Sequence, residues 1–281
     1  MAQRPTPYGH PSTWGKNIVL VADTLTSMGE CSEAREAAGP DADNPMRYMH
    51  EAARAQADVC QVMVGRKRQH HTVVLAHYKL VSPKAETGFK KETELQKQIK
   101  RERAELEETG YYPTAVTGGV ARNFVQHFPF ALLTERDERR LEKQKDGADP
   151  DEGSGRILRT RSLPGYQIKC PLLVPDRLPI ETGLLTIFRA LKGDLFKGII
   201  SGEPGTGKTS LLCALADAGY TILHCAFEPG DDVFKAFCTP EGLERVHSLA
   251  FEDEWEHTNE GMKRRPRGMN RFESFIYNGT L

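Results

Sequence analysis

Residues 202–209 read Gly-Glu-Pro-Gly-Thr-Gly-Lys-Thr, the full pattern GxxxxGK[ST], between an apolar stretch, LFKGIISG, and a helical one, KTSLLCALADAG, that Gly219 stops. The glycines let the backbone curl so that successive N–H groups point inward, a concavity that holds phosphate oxygens. The helix that follows aims the positive end of its dipole at the same anion. In such a loop Lys208 reaches the β- and γ-phosphates, and the Thr209 hydroxyl is a ligand for Mg²⁺. The expected phosphate-binding segment is Gly202, Glu203, Pro204, Gly205, Thr206, Gly207, Lys208, Thr209 and Ser210.

Holding phosphate does not cleave it. Hydrolysis also needs a carboxylate that orients the metal and a group that positions water, both at strand ends beside the loop. Two buried strands read from the sequence reach an acid: NIVLVADTLTSMG (17–29) at Asp23, followed by hydroxyls, and YTILHCAFEPG (220–230) at Glu228. A third, HTVVLAHYK (71–79), carries His77 at its polar end.

Other elements complete an alternation of strands and helices. Met46, Met49, Ala53, Ala57, Cys60 and Val64 recur at three- and four-residue spacing and predict a helix over 45–64. PFALLTER (129–136) predicts a strand, and PIETGLLTIFRALKG an amphipathic helix. Residues 84–108 are charged with both signs mixed, and predict a solvated helical excursion from near Lys90. Residues 109–128 read as a turn and a short helix, and VHSLAF near the end as one more apolar piece. Residues 137–156 are almost wholly charged or small and read as a linker. This divides the chain into 1–136, the linker, and 157–281.

Composition narrows the class. The 281 residues are 38% hydrophobic and 27% charged, with net charge −1, so no whole-protein field draws the chain to nucleic acid. The longest apolar runs are about six residues, against roughly 20 for a bilayer-spanning helix. The first residues, MAQRPTPYGHPSTWG, hold no apolar core of a secretory signal. Six scattered cysteines without CxxC pairing predict neither a disulfide framework nor a zinc site, and point to a reducing, cytoplasmic compartment.

IVLVADTLTSMG resembles the Walker B strand of RecA-like ATPases, TVVLAH the next strand, whose polar end senses the γ-phosphate, and ILHCAFEPGDD the strand that carries their catalytic glutamate. The chain is similar to the small phage-encoded RecA-like AAA ATPases, over roughly 12–136 and 156–278. The resemblance implies an α/β P-loop NTPase with a parallel sheet flanked by helices, and the cofactors ATP and Mg²⁺. It makes Asp23 a metal-shell residue with Thr209, Glu228 the polariser of the attacking water, and His77 a γ-phosphate sensor. The family's strands run 1 (glycine loop), 2 (glutamate), 3 (Walker B), 4 (sensor), 5; here their sequence order is 3-4-5-1-2, a cyclic rotation. In the family's sheet the spatial order is 5-1-4-3-2, so 5 and 1 are neighbours, and joining them asks little of the chain. Two halves that complete neighbouring subunits, or two segments that do not fold as one unit, are the other arrangements open at this level.

The implied activity is Mg²⁺-dependent ATP hydrolysis by a homo-oligomer, ring or filament, acting on single-stranded DNA in phage-type recombination or annealing, in a bacterial or phage-infected cytoplasm and with no membrane. Alternatives are a ring helicase motor and a nucleotide-gated scaffold with little hydrolysis. Lys79, Arg136 and Arg139 are candidates for a basic finger reaching a neighbouring copy's site. Three basic patches are candidates for DNA: Arg66-Lys67-Arg68 with His70 and His71; Arg156, Arg159 and Arg161; and Lys263-Arg264-Arg265 through Arg271. Tyr111, Tyr112 and Phe272 are candidate base-stacking groups.

Overall fold

The computed structural model describes residues 10–30, 56–65, 68–76, 79–80, 115–116, 126–136, 155–161, 168–203, 205–227, 232–251, 253–258, 261–265 and 267–279. His77, Pro204, Glu228, Tyr111, Tyr112, Arg139, Arg66, Lys67, the helix expected over 84–108 and most of the 137–156 segment lie outside them.

Eight strands form one sheet: β1 (Ile18–Asp23), β2 (His71–Ala76), β3 (Phe130–Arg136), β4 (Arg156–Arg159), β5 (Arg177–Pro179), β6 (Lys197–Ser201), β7 (Thr221–Ala226) and β8 (Val246–Ala250). They lie side by side as β8-β7-β1-β2-β6-β3-β4-β5. The run from β8 to β3 is parallel throughout, and β4 and β5 add an antiparallel edge. Strands from both ends of the chain therefore interleave: β7 and β6 flank the β1–β2 pair.

The central strands are near-continuous apolar runs, as strands buried on both faces must be. Alternate residues feed two cores. Leu20, Ala22, Val74, Ile199, Leu223 and Cys225 pack under the helix through 56–63, α1 (Leu25–Glu30) and α6 (Gly268–Asn278). Val19, Val21, Val73, Leu75, Ile200 and Ile222 pack under α2 (Gly183–Ala190), α3 (Cys213–Asp217) and α4 (Asp232–Phe237). A short helix α5 (Pro240–Leu243) leads into β8, and a hairpin of β9 (Glu254–Thr258) and β10 (Gly261–Arg265) precedes α6. Among the described residues no helix is long and apolar enough to cross a membrane.

The first strand ends at Asp23, as read from the sequence. Thr24 accepts a hydrogen bond from Ser27 N–H at 3.2 Å through its hydroxyl, and its carbonyl accepts from Met28 N–H. The hydroxyl-rich stretch is thus a helix start, in which a side-chain oxygen satisfies an otherwise orphaned donor.

Candidate functional site

The parallel strands β1, β2, β6 and β7 end at one edge, and that is where ligands gather in open α/β sheets. β6 delivers the glycine loop to this edge. Gly202 follows the strand at φ 153°, and a methyl group added there would lie 2.2 Å from Oγ1 and 2.5 Å from the backbone oxygen of Thr134. Only a residue without a side chain fits so close to β3. Gly205 and Gly207 hold φ of 73° and 85°, left-handed values that bend the loop back on itself.

Thr134 fastens the loop from the neighbouring strand. Its hydroxyl donates to Ser201 O at 3.2 Å and lies 2.7 Å from the Thr206 hydroxyl, which also reaches Glu203 O at 2.7 Å. Lys208 is buried, and its Nζ donates to the carbonyls of Gly202 (2.9 Å) and Glu203 (2.8 Å). The ammonium is thereby stretched across the loop with its charge held among carbonyl dipoles. Ser210 closes the turn by donating to Gly207 O at 2.8 Å. One 3-10 turn (Thr209–Leu212) then runs into α3.

Asp23 reaches the loop from β1, two strands away. It shares the face of Val19 and Val21, the face covered by α3, because side chains alternate along a strand. Its Oδ2 accepts a hydrogen bond from the Thr209 hydroxyl at 3.0 Å. The same oxygen lies 3.0 Å from His224 Nε2. His224 is buried in β7 with its ring edge-on to Phe234, and its Nδ1 lies 3.2 Å from the Ser248 hydroxyl in β8. An ionised Asp23 accepts only, so Nε2 carries the proton toward it and a neutral ring accepts from Ser248 at Nδ1.

Thr209 and Asp23 are hard oxygen donors, the chemistry that suits Mg²⁺. Among the described residues no group of three or more His, Cys, Asp or Glu could hold a metal unaided. A two-donor pair beside a glycine loop fits an ion that takes its other ligands from water and phosphate.

Of the residues named from the sequence, Gly202, Glu203, Gly205, Thr206, Gly207, Lys208, Thr209, Ser210 and Asp23 meet at this edge; Pro204, His77 and Glu228 lie outside the described residues. Thr134 and His224 were missed. His224 interrupts the apolar run ILHCA, and that interruption was the available signal; Thr134 opens the polar end of FALLTER and carries no such mark.

Several candidate DNA contacts are structural instead. His70 and His71 are buried, and Arg68 donates to Ile276 O at 2.6 Å. Phe272 is in the core against Phe227 and Phe251. Arg159 pairs with Glu135 at 2.6 Å and Arg161 with Asp176 at 2.9 Å. In the first two patches His70 and His71 are thus buried and Arg68, Arg159 and Arg161 have partners, while Arg66 and Lys67 lie outside the described residues.

Comparison with family models, with curated proteins and with solved structures finds no match to this chain.

Proposed function

We propose that the chain is a Mg²⁺-dependent ATPase of the RecA-like P-loop class, working as a homo-oligomer on single-stranded DNA in phage-type recombination or annealing. The single observation that carries the reading is the hydrogen bond between Thr209 and Asp23, 186 positions apart. A glycine loop alone is a phosphate cradle. A glycine loop whose threonine meets a strand-end aspartate is a place for a metal–triphosphate pair.

The topology supports the class. In the numbering of the resemblance, β7-β1-β2-β6-β3 is the order 2-3-4-1-5, the RecA-like order read from the other side. In this reading Lys208 exchanges its two carbonyl partners for phosphate oxygens. Thr209 and Asp23 hold Mg²⁺, which supplies charge neutralisation to the phosphates. His224 holds the Asp23 carboxylate in place, and Glu228, two positions past the end of β7, orients water.

The single-strand part draws on the hairpin β9–β10. Its register sets Trp255 opposite Arg264, and Glu254 and Glu256 opposite Arg265 and Lys263. The hairpin thus brings aromatic and cationic residue types, the ones that single strands use, into one element.

Phosphate release from ATP, with and without Mg²⁺ and an oligothymidine, tests the reading. The expected outcome is Mg²⁺-dependent, DNA-stimulated turnover that falls at least 100-fold in Lys208→Ala and Asp23→Asn. Variants as active as the parent overturn it. Tight ATP binding without turnover replaces it with a scaffold, and strand unwinding with a helicase motor.

A further inference from the structure

Arg136 and Arg156 stand directly opposite each other in the antiparallel β3–β4 ladder. Opposed residues in such a ladder share one face of the sheet. Theirs is the face of Thr134, which lies two residues before Arg136 and pairs with Leu158. Thr134 is the residue that fastens the glycine loop through Thr206. Arg136 therefore sits one side-chain step farther out along β3, at the level of the loop itself.

Close contacts agree with that placement. A methyl group added at Gly205 would lie 3.4 Å from Nη2 of Arg136, and one added at Gly207 would lie 3.4 Å from Cδ of Arg156. The two guanidinium-bearing side chains thus flank the loop at two of its glycines.

Two like charges set opposite each other in a ladder repel. Their neighbours solve that problem with acids: Arg159 has Glu135 and Arg161 has Asp176. Among the described residues no carboxylate pairs with Arg136 or Arg156. Of these four arginines, the two paired with acids lie away from the loop, and Arg136 and Arg156 lie against it. An anion between the pair would turn the repulsion into attraction. The planar fork of a guanidinium matches phosphate oxygens better than any other side chain does.

We infer that Arg136 and Arg156 form an in-chain guanidinium pair that binds the phosphate chain of the nucleotide on the side of the glycine loop opposite Asp23. Asp23 approaches from β1 on one side of β6, and the pair approaches from β3 and β4 on the other. Arg136, which the sequence offered as a finger for a neighbouring copy, thereby serves its own chain. The inference rests on the nucleotide reading of the loop.

The experiment measures ATP binding by calorimetry and turnover by phosphate release in Arg136→Ala, Arg156→Ala, Arg136→Lys, Lys208→Ala and the control Arg161→Ala. Each alanine at 136 and 156 is expected to weaken ATP binding about tenfold or more, Arg136→Lys to recover only part, and Arg161→Ala to match the parent. Mixing Arg136→Ala with Lys208→Ala protein is expected to restore no turnover. Parent-like binding and turnover in both arginine variants overturns this inference alone, because Lys208→Ala still reports on the loop. Turnover restored by mixing overturns the in-chain assignment. A parent that binds no nucleotide takes down the underlying reading with it.

Discussion

His224 Nε2 lies 3.0 Å from Asp23 Oδ2, the same carboxylate oxygen that accepts from Thr209. Strand register creates the contact. β7 pairs with β1 so that Ala226 stands beside Asp23, and His224, two residues earlier, points to the same face and reaches up to the carboxylate. Ser248 on β8 holds the far side of the ring.

In the proposed function that contact positions the Asp23 carboxylate. His224→Ala is expected to raise the Mg²⁺ concentration for half-maximal turnover by about tenfold, the usual scale for groups that orient a metal ligand. His224→Gln, which keeps a donor, should recover part of the loss. A magnesium titration of steady-state turnover reads both, and an unchanged requirement in the alanine variant removes the role.

Gly202→Ala is expected to damage both fold and site. The added methyl would overlap the backbone oxygen of Thr134, which cannot rotate away, so β3 and β6 must part. A cost of about 2–4 kcal/mol follows from overpacking and backbone strain together. Urea denaturation measures it. Gly193, where nothing lies within 4 Å of an added methyl, is the control for a positive φ without the clash.

Stability should rise with pH across two windows. Burial, with Lys197 nearby, pushes the His70 imidazole down to about 3. Burial and the same lysine push His71 to about 4, and its Nδ1 accepts from Phe196 N–H at 2.9 Å, a bond that protonation there would break. Burial, reinforced by Arg68, lowers Lys197 to about 7. All three hold a proton less well folded than unfolded, so between the folded value and the ordinary one the unfolded chain carries more protons. The two histidines' share is intact above 6.5 and is lost as pH falls toward 3–4; the lysine's share grows as pH rises from about 7 to 10.5. Urea midpoints should therefore increase from pH 5 to 7 to 9. Lys197→Met should flatten the upper limb, and His70→Phe should shrink the lower one.

Phe272→Ala should cost stability rather than DNA contact. The ring is fully buried, with the rings of Phe227 and Phe251 each 5.2 Å away, so about 3–5 kcal/mol is expected from the transfer and cavity terms. Thermal unfolding should register the loss. Single-strand affinity, measured well below the melting transition, should stay at the parent's level.

What was legible in the chain follows the reach of each signal. The runs IVLVAD, HTVVLA, FALLTER, KGIIS and TILHCA are too apolar to face water and too short to be buried helices, so the parallel strands could be read directly. The loop was legible because its chemistry is local, with five residues between Gly202 and Lys208. Direction was not. RKRQHH shows charge, yet whether a side chain points outward depends on what packs above it, and Arg68, His70 and His71 point inward. His224 and Thr134 were hidden for the same reason, since their partners come from other elements of the chain. The short strands β4 and β5 carry too few residues to show a period.

His10 Nε2 lies 3.1 Å from Tyr277 O, and the Trp14 and Phe275 rings are 5.6 Å apart, so the two extremities of the described polypeptide are already seated against each other. A covalent splice between them, with a new opening placed in the segment that separates β3 from β4, would give a protein whose glycine loop comes ahead of Asp23 in translation. Every strand would keep its present neighbours. Which strands are neighbours in this sheet is thus separable from the order in which the chain visits them.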